Sequence, residues 1–137
     1  MFQKVLLAVD GSDHSGRAVP IAIEIAKRWG GEVIVFHARE HVAARGMPWE
    51  RESDEEVQAL VDRVCGEIRE AGVTVRAEVQ RTLAGRTARV IVDAAAEHGA
   101  GLIVMGSRGL TDLEGLLLGS VAHKVLQLTG MPVLVTR

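Results

Sequence analysis

Leu102-Ile103-Val104-Met105 runs directly into Gly106-Ser107-Arg108-Gly109, and ten residues later comes Gly119-Ser120. Four successive apolar residues ending in glycine read as a strand buried on both faces that releases its chain into a tight, backbone-rich loop. Written as a pattern, the stretch is G-x2-G-x9-G-S. Glycines here remove the side chains that would keep backbone amides away from an anion. Gly119-Ser120 opens a helix carrying Val121, Val125 and Leu128, and its first amides and dipole favour negative charge. The Ser120 hydroxyl suits either a cap or a phosphate oxygen. Spacing by itself fits phosphate binding and an ordinary α/β loop equally well.

Working outward, the same alternation repeats. Val5-Leu6-Leu7-Ala8-Val9 is a second buried apolar run, ended by Asp10-Gly11-Ser12. Val19, Ala22, Ile23, Ala26 and Trp29 then recur at helical spacing up to Gly30-Gly31, although Pro20 interrupts the backbone bonding. Val33-Ile34-Val35-Phe36 is the next strand. Residues 39–52 lose periodicity and read as a long loop or flap containing Trp49, which either serves recognition or folds back onto the domain. Ser53-Asp54-Glu55-Glu56 is a capping box for a helix with Val57, Leu60, Val61, Val64 and Ile68 on one face. Val73, Val75, Ala77 and Val79 alternate as an edge strand, a helix follows over residues 87–98, and Val133-Leu134-Val135 closes the chain after Pro132. The summed pattern is a single α/β domain over residues 1–137, a five-stranded parallel sheet with helices on both faces. Ligands of such sheets lie beyond the carboxyl ends of the strands, where strand order reverses. The Asp10 turn and the Gly106 loop both fall at such ends.

Composition narrows the function classes. With 47% hydrophobic and 25% charged residues and a net charge of -2, the chain is an ordinary globular one. It has no basic excess for nucleic acid or an anionic membrane. No apolar run approaches the length of a membrane span, and Asp10 interrupts the first apolar stretch before it resembles a signal peptide, so a cytoplasmic location is expected. The single cysteine, Cys65, falls on an apolar helix face as a small buried residue, with a redox thiol the alternative. No Gly-Lys-Ser/Thr P-loop, dinucleotide fingerprint or G-x-S-x-G elbow occurs. The five histidines lack metal-ligand spacing, so neither a metal site nor a catalytic residue is assigned. His37, at the end of the second strand, reads as a hydrogen-bonded structural residue. A phosphoacceptor domain would need an aspartate after the third strand, where Gln80-Arg81 stands instead.

Val9-Asp10-Gly11-Ser12, the stretch 103–109, Gly119-Ser120-Val121 and Pro132-Val133-Leu134-Val135 together resemble the universal stress proteins, over essentially the whole chain. G-x2-G-x9-G-S/T is associated with that family's ATP-binding members, and every position of it is present. The resemblance implies a Rossmann-like adenine nucleotide-binding fold with sheet order 3-2-1-4-5. By motif position, Ala8, Val9, Asp10 and Ala38 would contact adenine and ribose. Met105 would pack beside the base and Gly106 near the ribose. Gly109, Gly119, Ser120 and Val121 would hold the phosphates. Asp10 is alternatively a turn cap, and Arg108 either reaches phosphate or stays in solvent. The resemblance further implies ATP with Mg2+ on its phosphates and homodimers paired through the last strand. The expected role is a stress-response signalling or regulatory module with at most slow ATP hydrolysis. A weak ATPase, or an interaction scaffold with a vestigial pocket, is the alternative.

Overall fold

Alternate burial along the strands decides the architecture of the computed structural model, which describes residues 1–44, 46–109 and 117–137. In chain order the elements are β1 (Lys4–Ala8), α1 (Asp13–Trp29), β2 (Glu32–Ala44), β3 (Met47–Glu50) and α2 (Asp54–Glu70). These are followed by β4 (Thr74–Leu83), α3 (Thr87–Glu97), β5 (Leu102–Gly106), α4 (Ser120–Leu128) and β6 (Val133–Thr136). Val5, Leu7, Val33, Val35 and Val104 bury one sheet face against α1 and α2, through Val19, Ala22, Leu60, Val64 and Ile68. Leu6, Ile34, Phe36, Ile103 and Met105 bury the other against α3 and α4, through Ile91, Ala95 and Val125. Because successive residues point to opposite faces, one apolar strand feeds two cores, and the central strands read as unbroken apolar runs.

The parallel strands run in the order β4-β2-β1-β5-β6, the 3-2-1-4-5 order expected for five parallel strands. Leu6 pairs with Ile34 on one side and Ile103 on the other, so β1 and β5 flank the point of reversal. α1 runs continuously through Pro20, capped by the Ser12 hydroxyl, which accepts from the Ser15 amide at 3.2 Å. Gly30 closes it at φ 61°, a left-handed conformation natural to glycine.

One expectation is corrected. Residues 39–44 and 47–50 are strand rather than loop, and among the described residues the sheet has six strands rather than five. β2 continues to Ala44, pairing with β4 from Glu32 to His41, and then folds back through Gly46 (φ 75°) into the antiparallel β3. Val42 stands opposite Trp49, whose ring remains 61% exposed. The extension looks polar because ion pairs, rather than apolar burial, hold it. Arg39 reaches Glu50 at 2.6 Å and Asp54 at 2.5 Å, and Arg81 of β4 reaches Glu50 at 2.8 Å. A hydrophobicity pattern carries no trace of such pairing. Pro48 is tolerated because β3 is an edge strand that pairs with β2, and a missing donor on an edge costs little.

The serine half of the expected capping box is present, with the Ser53 hydroxyl accepting from the Glu56 amide at 3.1 Å. Ser53→Ala should therefore lower stability by about 1 kcal/mol, seen as a lower urea midpoint at unchanged slope. Cys65 is buried in the α2 core face, and burial pushes its thiol pKa up, which disfavours the reactive thiolate. Among the described residues, no helix is long and apolar enough to cross a membrane.

Candidate functional site

Since β1 and β5 are neighbours, their carboxyl-end loops open onto one crevice, and a cavity of about 620 Å³ lies there. That volume suits a small organic ligand. Ala8, Val9, Asp10 and Ala38 line it from β1 and β2, Met105, Gly106, Arg108 and Gly109 from β5 and its loop, and Ser120 and Val121 from α4. Of the residues expected at the site, Gly119 is the exception. It caps α4, and its amide donates to the Ser107 carbonyl at 2.5 Å, which ties the β5 loop to the helix start. Its amide is thus committed to the scaffold.

The lining combines two chemistries. Ala8, Phe36, Ala38, Ile91 and Met105 contribute apolar and mostly small or flat side chains. Arg108 and the start of α4 also border the cavity, and there no side chain caps the helix and no acidic residue occupies its first turn. The first amides of such a helix point outward without intrahelical partners. His123 makes the first backbone bond back to Gly119, at 2.9 Å.

Asp10 carries the turn. Its Oδ1 accepts from the Ser12 amide at 2.9 Å, and its own amide donates to the Ser15 hydroxyl at 3.3 Å. The capping role open for it in the sequence is therefore real, while its carboxylate still borders the cavity. Gly106 owes its identity to packing. A Cβ there would lie 2.7 Å from the His14 carbonyl carbon, 2.8 Å from the Ser15 nitrogen and 2.9 Å from the His14 Cβ. The strand end and the first turn of α1 approach too closely for any side chain between them. Ser107, next in line, is buried, and its amide donates to the Thr136 carbonyl at 2.6 Å.

His37 lines the cavity and is 2% exposed. Its Nδ1 meets the Val9 carbonyl at 2.7 Å and its Nε2 meets the Glu52 carboxylate at 2.9 Å. Both ring nitrogens therefore have partners, and the histidine ties Glu52 to the end of β1. Glu40, Arg51, Glu52, Glu56, Arg63 and Thr87 also line the cavity and had no assigned role in the sequence. Glu40 accepts from the Thr87 hydroxyl at 2.6 Å and pairs with Arg51 at 3.3 Å. Recognition of a continued β2 and a returning β3 would have placed Glu40 within a strand and Arg51 and Glu52 just after one; nothing in the local pattern marked them.

Among the described residues, no cluster of three metal-ligating side chains occurs. The chain matches the universal stress protein family model over residues 1–137. It is 34% identical to the universal stress protein YxiE of Bacillus subtilis, with both chains covered in full. It is 39% identical to a Thermus aquaticus universal stress protein, again over the whole of each. In three dimensions it resembles the hypothetical protein MJ0577 at 24% identity and TM-score 0.82, covering 99% and 96% of the two chains. It also resembles a universal stress protein in complex with cAMP at 29% identity and TM-score 0.73, covering 99% and 97%. The Archaeoglobus fulgidus protein in complex with dAMP matches at 26% and 0.73, covering 100% and 98%. A doubly wound sheet, a crevice at its reversal point and kinship along the full length agree: the chain belongs to the universal stress protein family.

Proposed function

We propose that the cavity binds an adenine nucleotide, ATP with Mg2+ on its phosphates, and that the protein is a cytoplasmic stress-response regulator rather than a fast enzyme. The observation carrying this reading is the cavity's mixed lining, in which apolar side chains share one crevice with Arg108 and the uncapped start of α4. A flat base beside Ala8, Ala38 and Met105 would be desolvated against carbon, with Val9 packed at its edge and Asp10 beside the ribose. Gly106 would leave the ribose room near the strand end. Gly109, Ser120, Val121 and Arg108 would face the phosphates, where helix amides and a guanidinium complement negative charge. Gly119 would act one step behind, holding the two phosphate-facing segments together through Ser107. Mg2+ keeps several waters and takes few protein ligands. The donor set fits that habit, because Asp10 is the one carboxylate of the β1 turn at the cavity. When bound, the ion would neutralise phosphate charge. That related structures hold cAMP and dAMP supports the adenine preference.

Hydrolysis needs an oriented water and charge stabilisation on the transferred group, and we assign no residue here as the base, hence slow turnover at most. The protein is further proposed to dimerise along β6, where Val133, Leu134 and Val135 are only half-buried, because pairing would cover that edge.

Mass spectrometry of small molecules released from freshly purified protein, followed by calorimetric titration with ATP and GTP, tests the reading. Adenine nucleotide in the released fraction and heat with ATP but not GTP are expected. Absence of both would sink it.

A further inference from the structure

We infer that His14 is a positioning residue that aims the Arg108 guanidinium at the ligand's phosphates without cancelling its charge. The inference rests on the nucleotide reading above. Arg108 donates from Nε and Nη2 to the single atom Nε2 of His14, at 3.2 and 3.0 Å. Guanidinium nitrogens only donate, so the ring nitrogen between them serves as the acceptor.

The contrast with other arginines gives this contact its meaning. Arg39, Arg51, Arg76 and Arg81 each pair with a carboxylate, which fixes the side chain and neutralises it together. Among the described residues, no carboxylate pairs with Arg108. A neutral acceptor restrains the fork while leaving its full charge and its remaining N–H groups for an anion.

The partner is itself rigidly held. Thr136 donates its hydroxyl to the His14 carbonyl at 3.1 Å, and the absent side chain of Gly106 lets β5 press against the same turn. Arg108 borders the cavity, whereas His14 stands outside its lining. The histidine therefore acts through the arginine.

The test is calorimetric titration of ATP and of adenosine into wild type, His14→Ala, His14→Gln, Arg108→Gln and the double variant His14→Ala/Arg108→Gln. His14→Ala should weaken ATP roughly tenfold, in line with loss of a hydrogen bond to a charged group, and leave adenosine unchanged. His14→Gln keeps a neutral acceptor and should restore ATP affinity to within about twofold of wild type. With Arg108→Gln already in place, removing His14 should cost nothing more. A loss shared by adenosine, or one that persists without Arg108, would give His14 a merely structural role and overturn the inference. Undiminished ATP binding by Arg108→Gln would overturn it too, with the nucleotide reading intact. If wild type bound neither compound, the reading itself would fail and carry this inference with it.

Discussion

Gly106→Val should leave the protein unfolded or destabilised by about 3 kcal/mol or more, with Gly106→Ala losing about 1–3 kcal/mol. The atoms in the way are main chain. An added Cβ meets the His14 carbonyl carbon and the Ser15 nitrogen at 2.7 and 2.8 Å, distances that real carbon atoms do not hold. Relief would need α1 to lift from the end of β5. The buried residues Ala18, Val19 and Ala22 anchor that helix against the sheet, so it cannot lift cheaply. Valine adds a branch to the same clash. Thermal and urea unfolding of both variants check the point, and stability within about 1 kcal/mol of wild type for Gly106→Val would show that the two elements are not so closely apposed.

The same glycine shows where sequence reading succeeds and where it stops. Both cores were legible, because strands such as 5–9 and 102–105 are apolar on both faces and the helices keep a 3.6-residue stripe. The crevice was legible too, since G-x2-G-x9-G-S fell at a strand end beside the reversal point, and all the expected residues except Gly119 line the cavity. What the sequence could not disclose is what each glycine is for. Gly106 makes room for α1, and Gly119 lends its amide to Ser107; both are long-range contacts that no spacing encodes. The hairpin was missed for a related reason. Arg39, Glu50, Asp54 and Arg81 stabilise it by charge across elements distant in sequence, while the local string of charged residues looks like solvated loop. The His37–Glu52 and His14–Arg108 contacts are likewise products of topology, bringing together side chains with no common motif.

Ser120→Asp should separate stability from binding by moving them in opposite directions. Residue 120 is the first residue of α4, after the cap Gly119, in a helix with no side-chain cap and no acid in its first turn. A carboxylate there meets the positive end of the helix dipole, so unfolding should become harder by about 0.3–1 kcal/mol. For an ATP phosphate at the same helix end, the new charge is a competitor. It occupies the amides and repels the ligand. Two like unit charges about 4 Å apart interact at roughly 4 kcal/mol with the effective dielectric of a protein surface. Part of that is screened by salt and by Mg2+, which leaves an expected loss of at least about a hundredfold in ATP affinity. Adenosine lacks the phosphates and should bind as it does to wild type. Ser120→Asn supplies nearly the same volume without charge, and should retain most of the ATP affinity if the loss is electrostatic. Calorimetry with the two ligands, alongside urea unfolding, reads every term. Should Ser120→Asp bind ATP within about twofold of wild type while adenosine also binds, the triphosphate does not lie at the start of α4.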